Sequence, residues 1–146
     1  MIDLNSDPLE TIEVEMALLV RKISALTAIS EKGSLDRSAY LLLHQISIQN
    51  GVGVKTLAHE LLLNVSTVSR QAAALEKKGL VIKVDDPNDG RAYFFELTEQ
   101  GETELRNFKE IRLERIASLL SEWPDEDCET FGRLLKKLNH EIRSYE

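Results

Sequence analysis

Residues 85–98, DDPNDGRAYFFELT, set a cluster of turn-forming residues ahead of a short apolar run, with a single arginine, Arg91, between them. Asp, Asn, Pro and Gly bend a chain for separate reasons: side-chain bonds to the local backbone, a fixed φ, or freedom to adopt positive φ. AYFFEL, residues 92–97, and LVIKV, residues 80–84, are rich in β-branched and aromatic side chains. Both read as strands, joined into a hairpin by the turn Asp85 to Gly90. Arg91 then falls at the base or flank of the loop. A planar cation there can enter a DNA minor groove only about 6 Å wide, where negative potential is concentrated. Asp89, two residues earlier, is expected to hold the guanidinium in a bidentate pair.

Working back from the hairpin, residues 54–84 read VKTLAHELLLNVSTVSRQAAALEKKGLVIKV. Leu57, Ala58 and Leu61 make the inner face of a short helix, and Val68, Ala72 and Leu75 that of a longer one. A very short turn separates them, the spacing of a helix-turn-helix. Asn64 or Ser66 can cap the second helix, and Gly79 sits where a left-handed residue would end it. Ala73 or Ala74 is expected to join Ala72 on the inner face. The opposite face carries Ser66, Thr67, Ser69, Arg70 and Gln71, groups able to bond phosphates and base edges, and the N-terminal part of a recognition helix enters the major groove. A polar face of this kind also suits plain solvation. The hairpin directly behind it decides for a winged helix.

A calcium loop competes for the same residues, because Asp85, Asp89, Gly90 and Glu96 match positions 1, 5, 6 and 12 of an EF-hand. Position 3 is Pro87, which has no side-chain oxygen, and the flanks read as strands. No metal site is expected. His44, His59 and His140 are scattered, and the single cysteine, Cys128, cannot form an internal disulfide. No cofactor and no enzymatic activity are expected.

The chain resembles the multiple-antibiotic-resistance regulator (MarR) family of bacterial transcription factors over almost its whole length. The resemblance rests on the wing pattern Asp89, Arg91, Leu97, Thr98 and Gly101, and separately on S-T-V-S-R…L-E-K-K-G-L, Ser66 to Leu80. It implies a homodimer with interlocked terminal helices, two winged helices on successive major grooves of a near-palindrome, and a wing arginine in each minor groove. By that similarity Arg70, Ser66, Thr67 and Ser69 lie at the major groove and Arg91 and Asp89 in the wing. Gln71 on the same helix face, Lys55 and Asn64 are expected as further DNA contacts. Two positions depart from the family's pattern. Gly53 starts the first helix of the motif where Ser or Thr is frequent, and Leu62-Leu63 lacks the customary glycine.

The remaining segments are helical. Leu9, Ile12, Met16, Leu19, Ile23 and Leu26 stripe a helix from about Pro8 to Ser30, which EKGSLD, residues 31–36, then breaks. SAYLLLHQISIQN, residues 38–50, reads as a second, largely buried helix ended by Gly51-Val52-Gly53. Leu105, Phe108, Ile116, Leu119, Leu120 and Trp123 stripe a long helix capped by Thr98 and stopped by Pro124. Phe131, Leu134, Leu135, Leu138, Ile142 and Tyr145 stripe another. These faces exceed what a small central domain can cover, which calls for a dimer.

The expected fold is mainly α with a small β-wing. Residues 1–50 would supply N-terminal helices, 51–97 the winged helix-turn-helix, and 98–146 the C-terminal dimerisation helices. The net charge of −7 resides at the two ends, since residues 52–95 carry five acids against six bases. That distribution fits a middle that meets DNA. No run approaches the roughly 18 apolar residues of a membrane span, and the acidic N-terminus lacks the form of a signal peptide, so the expected location is the cytoplasm. The expected function is a DNA-binding regulator, more often a repressor, released by a small-molecule effector in a cleft that Tyr40, His44 and Arg112 would face. A winged helix serving only as a protein-interaction module is the alternative.

Overall fold

A computed structural model describes residues 3, 4, 6–30, 37–49 and 51–142. The expected break at residues 31–36, Asn50 and Tyr145 lie outside them. The elements run α1 (Asp7–Ser30), α2 (Arg37–Ser47), α3 (Val54–Leu61), α4 (Val65–Lys77), β1 (Val81–Asp86), β2 (Asp89–Leu97), α5 (Glu99–Leu119) and α6 (Asp125–Glu141). The chain divides into two compact units, Met1–Asp36 and Arg37–Glu146. In the first, α1 opens with Asp7 and Glu10 in its first turn, which complement the positive end of the helix. No described helix is long and apolar enough to cross a membrane.

The core of the second unit is built by α2, α3, α4, the hairpin and the start of α5. Leu42 and Leu43 of α2, Leu57 of α3, Val68 and Ala72 of α4, Val81 of β1 and Phe95 of β2 are buried, and Leu105 brings in α5. The hairpin is antiparallel. Val52 extends it by one bridge, its carbonyl accepting the Phe95 N–H at 2.9 Å. Both helices of the helix-turn-helix end alike. Leu63 N–H bonds Ala58 O at 2.9 Å after α3, and Leu80 N–H bonds Leu75 O at 3.0 Å after α4. These six-to-one bonds close a turn through one left-handed residue. After α4 that residue is Gly79, φ 78°; after α3 it is Leu62, φ 54°. Leu62 therefore holds a conformation in which Cβ crowds the backbone, in the Leu62-Leu63 turn that has no glycine to take it.

Thr98 joins three elements. Its hydroxyl accepts the Gly101 N–H at 3.0 Å, capping α5, and donates to Gly79 O at 2.6 Å. Its own N–H bonds Leu80 O at 3.0 Å. The first turn of α5 thus lies against the junction of α4 and β1. A Cβ on Gly101 would overlap the Leu80 carbonyl.

Several expectations need correcting. The second helix stops at Ser47, and the hairpin turn is only Pro87-Asn88, so Asp85, Asp86, Asp89, Gly90 and Arg91 belong to strands. Asp86 Oδ1 accepts the Asn88 N–H at 2.8 Å, and this local bond tightens the turn. The long helix ends at Leu119, leaving Leu120 and Trp123 in the following turn. Trp123 packs its ring 5.6 Å from that of Phe131, so it belongs with the stripe of α6. Ala73 and Ala74 are exposed, not inward. At 100° per residue, both lie away from the buried row Val68, Ala72, Leu75.

Two substitutions test these junctions by chemical denaturation. Gly101→Ala forces its methyl onto fixed backbone and is expected to cost about 3 kcal/mol. Leu62→Gly relieves the left-handed strain at little cost in burial and is expected to stabilise by about 1 kcal/mol, after the added freedom of the unfolded chain is deducted. Wild-type stability in either variant contradicts the corresponding reading.

Candidate nucleic-acid interface

The outward face of α4 is set by where its buried row lies. With Val68, Ala72 and Leu75 inward, helical geometry centres the opposite face on Ser66, Arg70, Ala73 and Lys77. All four are exposed. Thr67 and Ser69 are half-buried at the edges of this face. Gln71 turns toward the buried row, and its Oε1 is buried without a hydrogen-bond partner. The sequence expectation that Gln71 shares the free face with Arg70 is thus met only in part.

Asn64 caps α4. Its Oδ1 accepts both the Thr67 N–H at 2.8 Å and the Ser66 hydroxyl at 2.9 Å. Both lone pairs of that oxygen are used, which leaves the amide NH2 of Asn64 as its uncommitted donor. Ser66, having donated to Asn64, faces outward as an acceptor. Arg70 Nη2 approaches Thr67 Oγ1 at 3.4 Å, a long bond that leaves the other guanidinium donors available. Lys55 is exposed in the first turn of α3, the positive end of a helix whose N-cap, Gly53, supplies no side-chain bond. A lysine there finds no favourable helix dipole and is free for an external anion.

The wing differs from its expected form at one functional point. Pairing runs regularly to Asp85↔Tyr93 and then jumps to Asp86↔Asp89. Gly90, Arg91 and Ala92 of β2 are therefore left without partners on β1, a bulge of the kind that re-aims side chains. Arg91 is exposed within it. The expected Asp89–guanidinium pair does not form; Asp89 Oδ1 accepts the Arg91 backbone N–H at 3.0 Å. A carboxylate two residues upstream is within easy reach of that N–H, and the long guanidinium is left to extend. The sequence reading missed Lys83, whose Nζ lies 4.7 Å from the Tyr93 ring centre and 3.9 Å from Glu76 Oε1, linking the hairpin to α4. Its alternation within β1 was visible, but its cross-strand neighbour depended on register.

Tyr40, His44 and Arg112 do come together. The rings of Tyr40 and His44 stack at 6.2 Å, and the Arg112 guanidinium lies 4.5 Å from the Tyr40 ring centre and 5.0 Å from that of Phe108. Arg112 Nε is buried without a hydrogen-bond partner. An open cavity of about 650 Å³ lies elsewhere on the same pair of helices, lined by Ile46 and Ser47 of α2, Glu96 and Leu97 of β2, and Glu102, Leu105, Arg106 and Lys109 of α5. Among the described residues no group of three His, Cys, Asp or Glu side chains is placed to hold a metal ion.

Comparison with known proteins agrees with this geometry. The MarR family model matches residues 35–93. The chain is 43% identical to YxaD of Bacillus subtilis, described as an uncharacterized HTH-type transcriptional regulator, over 92% of this chain and 95% of that protein. Among solved structures it is similar to Streptococcus pneumoniae FabT in complex with DNA, with TM-score 0.71 and 18% identity over 90% of this chain and 94% of that one. It is likewise similar to the PcaV transcriptional regulator of Streptomyces coelicolor in complex with its natural ligand, with TM-score 0.68 and 22% identity over 97% of each chain. These two likenesses establish the fold.

The cap at Asn64 is separable from any contact with DNA. Asn64→Ala is expected to cost about 1 kcal/mol in stability, whereas Asn64→Asp keeps the accepting oxygen and should fold as wild type. Equal stability of all three proteins in denaturant titration would show that the cap does not hold α4.

Proposed function

The chain belongs to the MarR family of DNA-binding transcriptional regulators, and from that premise we propose that it acts as a cytoplasmic homodimeric repressor of a near-palindromic promoter site. The observation that carries this reading is the pairing, in one compact unit, of an α4 face bearing Ser66 and Arg70 with an unpartnered arginine on a bulged wing. In the proposed complex α4 lies in the major groove. Arg70 reaches a base edge or phosphate, Ser66, Thr67 and Ser69 bond nearby phosphates or bases, and Asn64 and Lys55 bond the backbone. Arg91 enters the adjacent minor groove, with Asp89 fixing the backbone that carries it. Gln71 contributes only if it rotates outward.

Dimerisation is supported by the apolar side chains that a single chain leaves exposed. Ile111, Leu113, Ile116 and Leu119 of α5 and Phe131, Leu134, Leu135 and Leu138 of α6 are exposed, and α6 buries no residue at all. In α1, Ile12, Met16, Leu19, Ile23 and Leu26 are exposed as well. Faces of this extent are covered in stable proteins, and a closed two-fold dimer is the commonest way to do it. By role, residues 1–50 and 98–146 then serve assembly and 51–97 serve DNA.

Effector control belongs to the same proposal. A small molecule near Tyr40, His44 and Arg112 would act on α2 and α5, which frame the DNA-binding elements. It would shift the spacing of the two recognition helices away from the roughly 34 Å that successive major grooves require. The PcaV structure with its natural ligand shows that a protein of this fold takes one.

Binding to fragments selected by the purified protein tests the reading. Affinity is expected to fall steeply between low and physiological salt. Arg91→Ala should weaken binding by more than tenfold with the salt slope reduced by about 1, and Arg70→Ala should also relax sequence preference. Wild-type binding by both variants contradicts the contact assignment. Light scattering at micromolar concentration should give the mass of two chains, and the mass of one would remove the dimer.

A further inference from the structure

We infer that Lys83 is a positioning residue for the wing: by bridging Glu76 of α4 and Tyr93 of β2, it fixes the angle at which the hairpin carries Arg91. This rests on the reading of Arg91 as the minor-groove contact and adds the element that aims it.

Strand register places Lys83 at a boundary. Val81 pairs with Leu97, Lys83 with Phe95 and Asp85 with Tyr93. Residues directly opposite on an antiparallel pair share a face, and alternate residues of a strand do so too. Val81, Lys83, Tyr93 and Phe95 therefore lie on one face of the hairpin. Val81 and Phe95 are buried, so this face is turned to the core, and the exposed Lys83 and Tyr93 stand where it emerges. The Tyr93 ring meets the Phe95 ring edge-on at 5.5 Å. The Lys83 ammonium lies 4.7 Å from the Tyr93 ring centre and 3.9 Å from Glu76 Oε1, in the last turn of α4. A row of contacts thus runs from buried Phe95 through Tyr93 and Lys83 to α4. Directly beyond Tyr93 the pairing jumps to Asp86↔Asp89, leaving Gly90, Arg91 and Ala92 without partners. Within the bulge Asp89 orders the Arg91 backbone; Lys83 sets how the hairpin beneath it leans on α4.

An ion pair between half-exposed side chains adds little to stability. Its consequence is geometric, because a wing ordered before it meets DNA loses less entropy on binding. That gain appears in the affinity that Arg91 delivers. Simple charge counting predicts the opposite sign for Glu76: removing an acid from α4 removes a repulsion of phosphate and should tighten binding.

The test uses a duplex selected by the wild-type protein from random sequence, with affinity read by fluorescence anisotropy. Glu76→Ala breaks the bridge while making the protein less acidic. Binding weaker by about threefold is expected, and unchanged or tighter binding overturns the inference. Arg91→Ala is then measured in both backgrounds. It should cost about threefold less in Glu76→Ala than in the wild type, whereas Arg70→Ala should cost the same in each. Equal cost of Arg91→Ala in the two backgrounds, or a changed cost of Arg70→Ala, shows an effect that does not pass through the wing and overturns the inference. Tyr93→Leu cuts the other side of the bridge with no change in charge, and should reproduce the reduced cost of Arg91→Ala. Wild-type binding by Arg91→Ala alone removes instead the minor-groove contact on which the inference rests.

Discussion

The hydroxyl of Thr98 is the point on which the geometry of the winged-helix unit depends. One oxygen accepts from Gly101 and donates to Gly79, while the same residue's N–H takes the Leu80 carbonyl. The end of α4, the start of the first wing strand and the first turn of α5 are thereby tied within a few bonds. Such closeness requires Gly101, because any side chain there meets the Leu80 carbonyl. It also requires Gly79, whose positive φ turns the chain from α4 into β1. The distance from Arg70 to Arg91 is then governed by this junction and by the hairpin register, not by flexible linkers.

Around Ser66 and Arg91, which the proposed complex sets against DNA, order comes from hydrogen bonds and not from ion pairs. Asn64 spends its carbonyl oxygen on the cap and on Ser66. Asp89 spends an oxygen on the Arg91 N–H. A bidentate Asp89–Arg91 pair would have to be broken or stretched for the guanidinium to enter a narrow groove, and its loss would oppose binding. Gripping the backbone instead orders the bulge and leaves the cation's donors unspent.

Much of this was readable in the residues, for identifiable reasons. The helix caps at Asn64 and Thr98 and the stop at Gly79 follow from local chemistry that tertiary contacts seldom override, and the buried rows of α3 and α4 follow from periodicity. Ala73 and Ala74 were misjudged because alanine suits a close-packed interface and an exposed helix equally, so hydropathy alone cannot orient it. The wing turn was read too long because Asp, Gly and Asn favour turns yet also occupy a bulged strand. The bulge around Arg91 was not legible, because it depends on pairing between strands. Trp123 fits the stripe of α5 by spacing, whereas its ring partner, Phe131, lies across a turn.

The distribution of burial separates two kinds of stability in this chain. From α2 to the first half of α5 the apolar side chains close on one another, and the unit has a core of its own. Beyond Leu105, exposed apolar residues recur along α5 and α6. Helices of that kind gain little from intrinsic propensity, since most helical stability in proteins comes from packing an amphipathic face. Their order is therefore linked to whatever covers them, and by mass action a covering partner stabilises the helices that it covers. Because α5 also begins at the Thr98 junction, a change in how its distal half is covered is conveyed along a rigid helix to the base of the wing and the end of α4.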